Sequence, residues 1–264
     1  MLAVAYRFVL AALVAFAVCA YLRLPLTIAP KHHGFLVLQG ILVFGINYWL
    51  IYISESQLTS GLVAVIFSTM VIMNMINSRI IFKTKIAGIA VIGALLGLIG
   101  VACLFWPEVK VLTFRDANFG AILLSLLATL IASLGNMVMA RNQLHGLPAL
   151  QVNAYGMFYG SMMLVIIALV RGVTFNWGTS LGFNVSLLYL SVFGSMVAFW
   201  SYTSLIREIG VDKAGYSSLL IPAVALGLST LVENYQWNVP GIIGFALIIA
   251  GNFLVMRRPK LLPA

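Results

Sequence analysis

An all-α membrane protein, spanning the bilayer many times and built from two repeats of opposite orientation, is the fold this sequence predicts. Three observations carry that expectation. Of 264 residues, 62% are hydrophobic and only 8% charged, with a mean hydropathy of +1.09. A soluble domain holds roughly 25% charged residues, so water is not the main solvent of this chain. Apolar runs near the roughly 20 residues that a helix needs to cross hydrocarbon recur with short gaps. They do not alternate as barrel strands would. Finally, small residues return in the same order in the two halves.

Nine spans can be drawn: Leu2–Tyr21, Gly34–Ile53, Gly61–Ile81, Ile86–Trp106, Phe119–Met139, Gln151–Val170, Val185–Leu205, Ala214–Val232 and Val239–Met256. The first has no basic segment ahead of its apolar run, and AVCA is not a convincing cleavage site, so it reads as a mature helix rather than a signal peptide. The connections are too brief for a soluble domain. The longest, RGVTFNWGTSLGFN after Val170, has the Gly, Asn and Thr content of an interfacial turn. Cys19 and Cys103 fall in different apolar helices with no CxxC spacing, which suits packing residues rather than a disulfide or a metal site.

The net charge of +9 comes from basic residues scattered singly or in twos and threes between spans. Topology explains them, and no nucleic-acid partner is expected. One set of alternate loops holds Arg23, Lys31, Arg79, Lys83, Lys85, Arg141, Arg207, Lys213, Arg257, Arg258 and Lys260; the other holds Lys110, Arg115 and Arg171. The positive-inside rule puts the richer set and the C-terminus in the cytoplasm of a multi-pass inner (plasma) membrane protein. Residue 1 then falls outside.

The duplication accounts for that placement. Ala5-Tyr6 matches Ala154-Tyr155, and Val43-Phe44-Gly45 matches Val192-Phe193-Gly194, both at an offset of 149. Gly61 and Ser68 match Gly215 and Pro222 at 154, and Gly93 and Gly100 match Gly244 and Gly251 at 151. Residues 1–106 thus form a first repeat with four helices, and residues 119–256 a second with five. A five-plus-five design is expected, its first helix belonging ahead of Met1. An odd helix count per repeat inverts one half against the other, the architecture of secondary transporters with a midplane binding site.

Specific stretches sharpen this. YRFVLAAL at Tyr6–Leu13, the Ser60-Gly61 pair after an aromatic helix, IPAVALGLSTLVEN at Ile221–Asn234, the GFALIIAG helix and the basic tail RRPK resemble the EamA-type branch of the drug/metabolite transporter superfamily. The resemblance spans essentially the whole chain and implies a ten-helix carrier of two inverted repeats. The first repeat departs from the pattern at Ser68, where a proline is usual, and at Arg79, which stands where the second repeat has Glu233.

Candidate substrate-binding residues follow from polar and aromatic groups inside spans. Arg7 is the sharpest, because a guanidinium within a span costs about 2.5–3.5 kcal/mol on insertion scales and must face a cavity or a partner. It reads either as a clamp for a substrate carboxylate or phosphate, or as a structural arginine at the outer interface. Tyr48 stands beside Asn47 and shares a helix face with Tyr52; Tyr155 and Tyr159 share another, and Trp200 and Tyr202 lie on the helix after. These aromatics read as pocket walls or as packing. Asn74 and Asn77 share a face, as ligand contacts or interhelical hydrogen bonds, with Asn136 and Asn153 similar. Pro222 reads as a hinge, a pocket wall or packing. The acids Glu55, Glu108, Asp116, Glu208, Asp212 and Glu233 all fall in loops or at span ends, so no buried proton relay is evident, and His32-His33 reads as a solvated interface pair.

No catalytic constellation and no GK[ST] phosphate loop is present. The expectation is therefore not an enzyme, without cofactor or metal. It is a secondary-active or facilitative transporter, in the exporting direction, of small organic metabolites such as amino acids. The alternative is a non-transporting receptor or assembly subunit on the same scaffold. Expected partners are the lipid bilayer and a small-molecule substrate, with a homodimer left open.

Overall fold

The computed structural model describes residues 2–110, 119–174, 177–178, 180–232 and 238–256. All its regular structure is helical: α1 Leu2–Tyr21, α2 Pro30–Glu55, α3 Ser60–Phe82, α4 Gly88–Leu104, α5 Trp106–Val109, α6 Phe119–Leu144, α7 Ala149–Val170, α8 Leu181–Ile209, α9 Val211–Ala214, α10 Ser217–Val232 and α11 Val239–Met256. Six of them (α1, α2, α3, α6, α7 and α8) are long and apolar enough to cross a membrane, and α4 and residues 239–255 are shorter apolar helices. A helix stands at each expected span, several with shifted ends. α2 begins at Pro30, whose missing N–H costs nothing in a first helical turn. α8 begins at Leu181 because the Ser180 side chain accepts from the Phe183 N–H at 3.2 Å. The polar turn expected between α10 and α11 falls mostly at residues 233–237, outside the described residues, as do Glu233, Asp116, Arg115 and the basic tail.

Two helices contain π-helical stretches, Gly40–Ile46 in α2 and Val192–Val197 in α8. α3 is interrupted at Thr69, where the hydroxyls of Ser68 and Thr69 bond back to the carbonyls of Ala64 and Ile66 at 2.7 and 2.6 Å. Such back-bonding loosens a helix locally.

The chain divides into two compact units. Unit 1 takes residues 1–52 and 134–208; unit 2 takes residues 53–133 and 209–264. In unit 1, α1 packs on α7 and α8 through a core of Ala15, Cys19, Leu150, Ala154 and Met196. The π stretch of α2 also packs on α7, and that of α8 on α1. In unit 2, α4 and α11 run antiparallel in close contact, Gly93 facing Gly251 and Gly100 facing Gly244. A Cβ on Gly244 would stand 2.7 Å from the Leu104 nitrogen, and one on Gly100 2.7 Å from the Gly244 carbonyl oxygen. Dispersion between backbones replaces the hydrophobic effect as the force joining helices in lipid, and only small residues allow that approach. Around this seam lie Val71, Val101, Leu104, Leu219 and Ile248.

Candidate functional site

Arg7 is held inside unit 1. Its Nε donates to Ser195 Oγ at 2.7 Å, and Nη2 donates to the Gly194 carbonyl at 2.8 Å. Both acceptors belong to the π stretch of α8, and Ser195 is the fully buried middle residue of that helix. The guanidinium carbon lies 5.5 Å from the ring centroids of Phe8 and Tyr48, within cation–π range. Phe8 also meets the Tyr48 and Phe44 rings edge-on, at 4.8 and 5.2 Å. A hydrogen bond to a charged group contributes about 1.5–3 kcal/mol, so two of them offset the insertion cost. Among the described residues, the one ion pair is Arg207–Glu208 at 3.4 Å. The positive charge of Arg7 is thus met by a hydroxyl, a carbonyl and aromatic faces, and by no carboxylate of those residues. Asn47 is buried at the start of the regular helical segment that follows the π stretch of α2.

Tyr155 and Tyr159 are brought together elsewhere in unit 1, stacked at 6.1 Å. The Tyr155 hydroxyl donates to the Leu26 carbonyl at 2.7 Å, and its ring meets Phe16 at 5.0 Å. His33 joins them: Nε2 donates to the Ile28 carbonyl at 3.2 Å, so in the neutral ring Nδ1 accepts from the Tyr159 hydroxyl at 2.8 Å. With Gln151 donating to the Pro25 carbonyl, these side chains hold the segment joining α1 to α2. His33 is therefore half-buried and bonded at both ring nitrogens, where the doublet His32-His33 read as solvated. Trp200 is exposed and Tyr202 half-buried on α8.

The remaining candidates lie in unit 2. Asn74 is fully buried, its amide against Gly215, where a Cβ would stand 2.8 Å from Nδ2. Asn77 Nδ2 donates to Ser133 Oγ at 2.9 Å, tying α3 to α6. Pro222 is buried within α10.

A polar chain in unit 1 joins Asn153 to side chains that the sequence pattern does not single out. Asn142 Nδ2 donates to Gln39 Oε1 at 2.9 Å, and Gln39 Nε2 donates to Asn153 Oδ1 at 3.3 Å. Asn153 Nδ2 donates to the Phe199 carbonyl and to Thr203 Oγ1, both at 2.9 Å, and Thr203 donates to Met139 Sδ at 3.0 Å. All four polar side chains are essentially fully buried. Each closes on a partner, as the low dielectric of a membrane interior demands.

Fold and site together define a polytopic helical membrane protein with a half-buried cation bonded to the middle of a neighbouring helix. The EamA-like transporter family matches residues 1–106 and 119–257, and the chain belongs to that family. It is 25% identical over 234 residues to the uncharacterized inner membrane transporter YedA of Escherichia coli K12, covering 86% of this chain and 74% of that one. An uncharacterized transporter of Acidianus ambivalens is 27% identical over 218 residues, covering 81% and 78%. The uncharacterized transporter YoaV of Bacillus subtilis is 26% identical over 239 residues, covering 88% and 78%. A solved structure described only as a crystal structure of protein matches with a TM-score of 0.83 at 15% identity, over 96% of this chain and 86% of that one, a likeness of fold alone.

Proposed function

We propose that this member of the family is a secondary-active or facilitative carrier that exports small organic metabolites, such as amino acids, across the inner membrane. The C-terminus is cytoplasmic, and two inverted repeats, residues 1–106 and 119–256, alternate access to a site near the midplane. Transport fits the family and the names of its relatives. The observation that carries the site is Arg7, bonded at the centre of α8 with Tyr48 beside it and no carboxylate of the described residues to neutralise it. A π-helical stretch is a frequent mark of a functional site, and an ionisable group inside a span is one as well. The guanidinium binds the carboxylate of the solute as an ionic hydrogen-bond partner, while Tyr48 lines the same place.

The test is flux from proteoliposomes loaded with a panel of labelled amino acids and other small carboxylates. The expected result is counterflow or efflux for at least one of them, with Arg7→Gln abolishing it while the variant still melts cooperatively. Flux that is unchanged in Arg7→Gln removes Arg7 from the site. No flux for any pool overturns transport and favours a receptor or assembly subunit on this scaffold.

A further inference from the structure

Asp212 occupies a setting unlike that of an ordinary loop acid. α3 ends at Lys83, whose φ of 56° is left-handed, and α9 starts after Gly210 at φ 85°. Between these two turns α9 lies against α3. The Asp212 carboxyl there meets the hydroxyls of Ser78 and Thr84, which bond each other at 2.9 Å. Ser78 is fully buried. One carboxyl oxygen, Oδ1, is itself buried and has no hydrogen-bond partner among the described residues.

The charged and titratable groups on the packed elements are Arg79 and Lys83 on and just after α3, Lys85 in the next connection, Lys213 on α9 itself and Tyr216 at the entry to α10. Arg79, Lys83 and Lys85 are exposed, and no cation of the described residues lies within ion-pair distance of Asp212. The Tyr216 hydroxyl donates to the Ala90 carbonyl, so its proton is already committed. Asp212 is therefore a half-buried carboxyl set against neutral hydroxyls, with one oxygen shut away from water. An ionised carboxylate is poorly served there, and a protonated one costs far less to bury.

We propose that Asp212 is a proton-binding site whose carboxyl is protonated while α9 is docked on α3 and releases its proton to water when the two separate. Only an O–H bond is made or broken, with bulk water as donor and acceptor. Burial raises the affinity of the carboxyl for a proton, and the Ser78 and Thr84 hydrogen bonds oppose that rise by favouring the anion. Any movement that hydrates Asp212 therefore expels a proton, and raising the pH favours that movement. Asn74, on the same face of α3 as Ser78, packs against Gly215 three residues after Asp212, so the proton site adjoins a buried amide of the span.

The test needs no substrate and so stands apart from the transport reading. Isotope-edited infrared titration of the full chain in lipid nanodiscs, comparing wild type with Asp212→Asn, isolates the Asp212 carboxyl. A carboxylic-acid band lost in Asp212→Asn is expected, titrating above the ordinary aspartate value of about 3.9. Ser78→Ala removes a bond to the anion and shifts that midpoint further upward. Backbone protection at residues 78–84 and 211–216, taken relative to the intrinsic exchange rate at each pH, falls as pH rises in wild type and stays constant in Asp212→Asn. A carboxylate that stays ionised down to its ordinary value, or a Ser78→Ala midpoint that moves down, overturns the proposal. Either result leaves the transport reading untouched.

Discussion

The tripeptide Val-Phe-Gly occurs in both π-helical regions of unit 1, and the two seams around it are built differently. Around Gly40–Ile46, α2 meets α7 backbone to backbone. A Cβ on Gly40 would stand 2.6 Å from the Gly156 carbonyl oxygen, and one on Gly160 2.5 Å from that of Gly40. Around Val192–Val197, α8 meets α1 through a side chain. Gly194 has Arg7 Nη2 as a neighbour, 3.5 Å from where its Cβ would be, and its carbonyl accepts from that nitrogen. At the offset of 149 that aligns the two tripeptides, Arg7 falls opposite Gly156. One position closes its seam with a glycine, and the other bridges its seam with a guanidinium. A dry backbone contact is fixed by van der Waals fit, whereas a charge held by two hydrogen bonds can exchange one partner for another. On the carrier reading proposed above, the α1–α8 seam is where a solute would bind and the α2–α7 seam is its rigid support.

The sharpest way to break this contrast is at Gly40. Alanine there drives a methyl into the Gly156 carbonyl and the Gly160 nitrogen, both backbone atoms that cannot rotate aside. Overpacking of this kind costs about 1–3 kcal/mol, and the upper end is expected for Gly40→Ala and Gly160→Ala, read as a lowered midpoint in reversible denaturation from mixed micelles. A midpoint equal to wild type would show that the seam is not close-packed.

Next comes Arg7. Its removal is expected to act on flux more than on folding. Arg7→Gln lowers flux of a carboxylate solute by at least about tenfold, the equivalent of 1.4 kcal/mol, while Arg7→Lys keeps the charge but loses the planar fork and falls between. Equal losses of flux and of thermal stability in both variants would assign Arg7 to architecture instead.

How much of this was legible beforehand depends on whether a feature is local in sequence. Helix positions were, because an apolar run of sufficient length announces itself wherever it falls. Arg7 was, because the cost of a charge in hydrocarbon does not depend on the partner that relieves it. Its partner was not: Ser195 and Gly194 lie in a run of small and apolar residues, and nothing in VFGSMV signals a π stretch. Gln39 is not legible in sequence because its partners, Asn142 and Asn153, stand 103 and 114 residues away and meet it only after three helices pack. Asn77 was read with helix-to-helix hydrogen bonding as one alternative, which its bond to Ser133 matches. Asp212 sat among the loop acids, since sequence does not tell an exposed carboxyl from one whose Oδ1 is sealed under α3.

Unit 2 extends the comparison with Asp212, a half-buried acid where unit 1 has the half-buried base Arg7. The proton affinity of Asp212 is raised by folding, so its contribution to stability is fully present below the unfolded value of about 3.9 and is lost as pH rises through the folded value. Chemical denaturation across acidic to neutral pH is expected to show stability declining over that window, with a flatter profile in Asp212→Asn. An unchanged slope would mean the carboxyl is ionised throughout.

The smallest expected effect distinguishes the two seams most directly, because it applies to Gly194 the same change that is damaging at Gly40. An alanine methyl at Gly194 would meet Leu190 Cδ2 at 3.3 Å and Arg7 Nη2 at 3.5 Å. Both are ends of flexible side chains, able to move by a few tenths of an ångström. Against that slight crowding stands the helix preference of alanine over glycine, about 0.8–1.0 kcal/mol in an ordinary helix interior. The Gly194 carbonyl keeps its place and still accepts from Arg7. Gly194→Ala is therefore expected to change stability by less than about 1 kcal/mol, in either direction, under the denaturation conditions used for Gly40→Ala. A loss as large as that of Gly40→Ala would mean the α1–α8 seam is as tightly closed as the α2–α7 seam. It would then have no room for a solute beside Arg7.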